Sequence, residues 1–155
     1  MAHDGFFSYS SDKKQLIYVL YHLGKVVVFD EKFENIQTFN TLDNYRFNPI
    51  VVKKGNMYYL SRKTVWVNVN ATLSEKFIFI VSRIKSIDDK KNGLKGEVID
   101  IYDTFSPFAY KFSIHLDDRV KQILDIKLRE NYIYLMVINE NFKNEILKID
   151  LSHLL

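Results

Sequence analysis

One short unit is written three times in this chain: an aromatic-rich run, a break, then an apolar run closed by aspartate. The copies are Gln15 to Asp30 (QLIYVLYHLGKVVVFD), Lys76 to Asp103 (KFIFIVSRI, later GEVIDIYD) and Asn131 to Asp150 (NYIYLMVIN, later NEILKID). A strand pair of this kind cannot bury both of its own faces, so repetition implies copies stacked on one another. The fold class that follows is all-β, built of antiparallel meander repeats, in a single domain over residues 1–155.

The local pattern supports strands throughout. Residues 15–23 run apolar without alternation, as a strand covered on both faces does. His22 to Lys25 supplies a tight turn, and Asn35 to Leu42 alternates as an exposed outer strand would. Residues 48–70 carry two runs around a Gly55-Asn56 turn and then TVWVNV, while Val120 to Leu128 reads as a strand despite a weak helical period. If Tyr18, Tyr59, Phe79 and Tyr134 are equivalent, their spacings are 41, 20 and 55 residues. The average lies near the roughly 40-residue period of propeller blades. The architecture expected is therefore part of a β-propeller.

Composition narrows the function classes. The chain has 12 Phe, 10 Tyr and 1 Trp against 5 Gly and 2 Pro, a bias toward pleated surfaces. Its net charge of +3 comes from 22 basic and 19 acidic residues that are interspersed, which gives no focused field for nucleic acid. The pairs Lys13-Lys14, Lys53-Lys54 and Lys90-Lys91 read as turn or edge lysines that discourage edge pairing. Absence of cysteine removes disulfides, thiolate catalysis and cysteine zinc sites. No window approaches a membrane span, and the N-terminus lacks the form of a signal peptide. Residues 1–5 read as an added or truncated start. A periplasmic or cell-surface bacterial location is the expectation if an export signal has been removed.

The blade-like segments KFIFIVSR (Lys76 to Arg83), LKGEVIDIYD (Leu94 to Asp103), YKFSIHL (Tyr110 to Leu116) and ILDIKLRENYIYLM (Ile123 to Met136) resemble six-bladed β-propellers of the TolB-like kind, a bacterial and largely uncharacterised group. The resemblance implies a soluble, often extracytoplasmic binding protein, and no catalytic set comes with it. Six blades of roughly 40 residues need about 240, and this chain holds about three. A half propeller leaves two open faces and unpaired edges, so the expectation is a homo-oligomer or missing blades supplied by a longer chain.

Candidate chemistry is sparse. His3, His22, His115 and His153 are far apart and lack ligand spacing; they read as surface or capping residues. Asp117-Asp118 and Asp88-Asp89 read as turn residues, and Lys90 and Lys91 place positive charge where a calcium ion would sit. Asp30, Asp103 and Asp150 recur at one structural place, which marks a turn requirement. Asn70-Ala71-Thr72 matches the glycosylation sequon by chance. Binding loops at one end of a repeat stack are the best candidates. The charged insertion Ser86 to Gly96, with Asp88, Asp89, Lys90, Lys91 and Asn92, stands out. Trp66 reads as packed between sheets or else as a stacking platform.

The functional expectation is a non-enzymatic propeller-like module for a protein, peptide or glycan, with no cofactor and no metal. One alternative is a metal-dependent propeller hydrolase or lactonase, using Asn68, Asn70, Asp100 and Asp125 if their strands line the axis. Another is an inert repeat segment of a larger assembly.

Overall fold

The structure, a computed structural model, describes residues 4–43, 50–84, 91, 93 and 96–153. Among these residues, thirteen strands appear in chain order. The first sheet holds β1 (Gly5–Ser10), β2 (Gln15–Leu20), β3 (Lys25–Asp30) and β4 (Ile36–Asn40). A separate hairpin holds β5 (Val51–Lys54) and β6 (Met57–Leu60). The middle sheet holds β7 (Asn68–Leu73), β8 (Phe77–Ser82), β9 (Val98–Asp103) and β10 (Tyr110–His115). The last sheet holds β11 (Val120–Arg129), β12 (Tyr132–Asn139) and β13 (Asn144–Asp150). Every paired strand is antiparallel to its sequence neighbour, so each sheet is a meander. Among the described residues, no sheet closes into a barrel.

The recurring unit of the sequence is the second and third strand of each large sheet: β2 with β3, β8 with β9, β12 with β13. Of these, β8 and β9 are the most buried, and β13 is largely exposed. In the middle sheet, Ile78, Ile80 and Tyr102 face the first sheet's Ile17, Val19, Val26, Val28 and Phe39. Phe79, Val81, Ile99 and Ile101 face Ile123, Ile126, Ile133, Leu135 and Val137 of the last sheet. Burial on both faces explains the continuous apolar run of KFIFIV. Each such side chain contributes roughly 1.5–3 kcal/mol relative to leaving it in water.

Tyr102, the largest fully buried side chain, keeps its phenol satisfied by accepting a hydrogen bond from the Leu42 backbone N–H at 2.8 Å. Burial, then the neighbouring Asp100 charge, pushes that phenol far above its ordinary range. The bond ties the end of the first sheet to the middle of the next.

One expectation is corrected. The equivalence of Tyr59 fails, because β5 and β6 form a two-stranded hairpin whose side chains are almost all exposed rather than a buried strand pair. At the start of β1, the Asp4 carbonyl accepts from Tyr21 N–H at 2.9 Å, and Gly5 opens the strand. A side chain at Gly5 would run into the Val19 carbonyl oxygen of the paired strand, so glycine permits the close approach.

Turns are closed by polar caps. Asp30 accepts from Glu34 N–H at 2.9 Å, Asn35 N–H at 3.2 Å and the Asn35 amide at 2.6 Å. Asp150 accepts from the N–H and hydroxyl of Ser152 at 2.8 and 2.6 Å. Asp103 instead pairs with Lys111 at 2.8 Å across β9 and β10. The shared aspartate position thus serves two capped turns and one cross-strand ion pair. No helix among the described residues is long and apolar enough to cross a membrane.

Candidate functional site

The strands β1, β7 and β11 are the first strands of the three large sheets, and β7 lies in contact with both of the others. Their C-terminal ends and the turns that follow surround a concavity of about 690 Å³. It is lined from β1 by Phe7 to Ser10, from β7 by Asn70 to Leu73, and from the end of β11 by Lys127 and Leu128. The turn residues Asp12, Glu75, Lys76, Glu130 and Ser152 complete its rim.

The local sequence explains this lining. In β1, Phe7 and Tyr9 alternate with Ser8 and Ser10, so adjacent residues point to opposite faces. Phe7 and Tyr9 are 63% and 55% exposed, far more than a core aromatic. Phe7 packs on Tyr18 of the paired strand with ring centroids 4.5 Å apart.

Polar groups cross between sheets at this place. The Asn70 side-chain amide donates to Asp125 Oδ1 at 3.1 Å and to the Leu124 carbonyl at 3.3 Å, and the Asn70 oxygen accepts from Ala71 N–H at 2.9 Å. Asp125 Oδ1 also accepts from Ile126 N–H at 2.9 Å and lies 3.8 Å from Lys127 Nζ. The pair pins β7 to β11 and fixes the floor of the concavity. Asp150, beneath Ser152, is held below the usual carboxylate range chiefly by the Ser152 hydroxyl. Outside the concavity, Lys13 Nζ sits 3.8 Å above the Phe105 ring and links the β1–β2 turn to the β9–β10 turn.

The arrangement offers hydroxyls, amides and both signs of charge beside half-exposed rings. That set can hold a polar ligand by hydrogen bonds and stack an apolar face of it. Among the described residues, no group of three or more histidines, cysteines or acids is placed to hold a metal.

The four residues of the hydrolase alternative do not converge. Asn70 and Asp125 meet on inner strands. Asn68 is fully buried, and its amide donates to the Leu20 and Leu23 carbonyls at 3.0 and 2.9 Å, a structural tie to the first sheet. Asp100 lies on β9, the third strand of its sheet, where it accepts from the Ser113 hydroxyl at 2.6 Å.

The sequence-predicted loop residues fall elsewhere. Asp88, Asp89, Lys90 and Asn92 lie outside the described residues. Lys91 is exposed. Trp66 precedes β7 rather than lying in a strand; it is 46% exposed and packs against Tyr21 and His22 with ring centroids 4.8 and 5.0 Å away. His22 is 3% exposed, not a surface residue, and its Nδ1 lies 2.8 Å from the Val65 carbonyl. The sequon at Asn70 sits inside β7 with its amide already engaged, so it is no exposed acceptor loop.

Missed by the sequence reading were Phe7, Ser8 and Tyr9. Their signal was the alternation FFSYS followed by the polar turn SSDKK, which marks a strand and hairpin. No known family model matches this sequence, and no curated protein is similar to it.

Proposed function

We propose that the chain is a non-enzymatic, propeller-like binding module that takes a peptide or glycan segment in the concavity at the ends of β1, β7 and β11. One observation carries the reading: three strands far apart in sequence bring Tyr9, Asn70 and Lys127 around a single opening of about 690 Å³. The first strands of successive sheets lie side by side, as the inner strands of a propeller do around its axis. The expected partners are a ligand in the concavity and a protein neighbour at the open sheet faces, with no role for nucleic acid. The resemblance to the TolB-like group supports the same reading, including an extracytoplasmic location in a bacterium.

The test is an NMR titration with soluble oligosaccharides and short mixed-sequence peptides as probes. Perturbed amides should map to Ser8, Thr72 and Lys127. Tyr9→Ala should weaken binding about tenfold, which corresponds to about 1.4 kcal/mol. Perturbations confined to the neighbourhood of Trp66, or a Tyr9→Ala chain that binds unchanged, would refute the site.

A further inference from the structure

The hairpin of β5 and β6 stands apart from the three large sheets. Its side chains enter neither of the two buried clusters that hold those sheets together. It is closed at its base, where the Ile50 carbonyl accepts from Ser61 N–H at 2.7 Å and from the buried Thr64 hydroxyl at 3.4 Å. Among the described residues, no backbone group of Val51–Lys54 or Met57–Leu60 bonds outside the pair, so both outer edges are open. Register sets Val51 opposite Leu60, Val52 opposite Tyr59, Lys53 opposite Tyr58 and Lys54 opposite Met57. A two-stranded sheet with neither face packed is marginal, and a third strand is what steadies it.

Charge selects that strand. From Ile50 to Trp66 the chain carries Lys53, Lys54, Arg62 and Lys63 and no acid. All four cations are exposed, and among the described residues none has an acidic partner. Lys53 Nζ lies 5.7 Å from the Tyr58 ring centroid. Such lysines keep the open edge of one copy from pairing with that of another, since like charges would crowd the new ladder. The same charges favour an acidic strand. Lipid headgroups and nucleic acid also carry negative charge, but neither supplies the alternating N–H and C=O groups that an open edge pairs with.

We propose that the β5 edge is a docking site for an acidic, extended peptide segment of a partner protein, which adds to it as a third, antiparallel strand. This edge holds Lys53 and Lys54, whereas β6 carries no charge. Read in its own direction, the added strand places two carboxylates opposite Lys54 and Lys53, then two β-branched residues opposite Val52 and Val51. A Glu-Glu-Val-Val segment meets both demands. None of these positions lines the concavity, so the edge is a second site, independent of the first.

Hydrogen exchange and an NMR titration of the full chain test it, with a short end-capped peptide containing Glu-Glu-Val-Val as the probe and its Lys-Lys-Val-Val counterpart as the control. The acidic peptide should slow the exchange of β5 amides and shift their resonances, and the effect should fade as salt rises. The basic peptide should do neither. Lys53→Glu combined with Lys54→Glu should weaken the acidic peptide about tenfold and take the basic one instead. Both lysines are exposed, so circular dichroism should show an unchanged fold. No shift at about 1 mM peptide, where even a weak specific contact is half filled, would overturn the proposal. Equal binding of the two peptides, or protection confined to β6, would overturn it as well. So would an inert peptide beside phosphatidylserine vesicles or single-stranded polynucleotide that bind the wild-type chain and not the double variant, since the cations would then serve those partners. Tyr9→Ala should leave the peptide on β5; loss of the peptide in that variant would place it in the concavity and remove the edge site.

Discussion

Phe142 holds left-handed backbone, with φ of 57°, while its side chain is 86% exposed. Its turn is the twin of the one ending at Phe33, where φ is 58°. In each, the aromatic N–H donates back three residues, to Asn139 or Asp30 at 3.0 or 3.1 Å. The residue that accepts also caps the turn with its side chain; Asn139 Oδ1 receives the N–H groups of Asn141 and Lys143 at 3.0 and 3.1 Å. Phe33 recovers part of the steric cost by packing on Phe29, with ring centroids 5.5 Å apart. Phe142 has no aromatic partner among the described residues. Left-handed backbone costs a non-glycine residue roughly 1–2 kcal/mol, and the freer unfolded chain of a glycine variant returns about 0.4–1 kcal/mol of that. Phe142→Gly is therefore expected to stabilise the fold by about 0.5 kcal/mol and raise the thermal midpoint by roughly 1–2 °C. A lowered midpoint in a melting experiment would show that the exposed ring has a stabilising contact. The left-handed residue of neither turn announces itself in sequence, since glycine or asparagine is the usual marker of this backbone and phenylalanine is not.

Between strands and sheets, the decisive quantity is what lies on each face. The hairpin of β5 and β6 fits a strand pattern as well as β8 and β9 do, yet Val51, Val52, Met57 and Tyr58 are about half exposed or more. A two-stranded hairpin with neither face packed is marginal in water. Its amides are expected to exchange with deuterium orders of magnitude faster than those of Ile78 to Val81, whose strand is covered on both sides. Comparable protection in the two regions, measured by hydrogen exchange, would mean that the hairpin is covered in solution. Here lies the boundary of what residues alone reveal. The central strand β8, flanked on both sides by other sheets, is apolar from Phe77 to Val81 and was readable. The inner strand β1 was overlooked despite its alternation, because a concave lining calls for Ser8 and Ser10, which look like loop residues. The concavity itself draws on positions as distant as Ser8 and Lys127, and no local pattern encodes that meeting. Trp66 and the 86–96 insertion attracted notice by rarity and length, properties that carry no information about adjacency.

For the molecule as a whole, acid stability should reflect its capped turns. Asp30 is held below the usual carboxylate range chiefly by the Asn35 side chain, Asp117 by the Arg119 guanidinium and Asp150 by the Ser152 hydroxyl. Each folded value lies below the unfolded one, about 3.9. Their contribution is complete above that pH and is lost as pH falls through the folded values. The thermal midpoint should thus decline below about pH 4, and Asp30→Asn should start lower at neutral pH and decline less steeply. An unchanged slope in the variant would remove Asp30 from the acid response.

The same molecule-wide view gives meaning to the separation of the ladders. Hydrogen-bonded strand pairing stops at the border of each meander, and neighbouring meanders are joined mainly by side chains and a few single bonds such as Val67 N–H to the Tyr21 carbonyl. A gene encoding such a chain can gain or lose one whole meander by an in-frame duplication or deletion without breaking any ladder. Growth then proceeds in increments of a complete sheet, and each new copy inherits a ready-made surface on which to land.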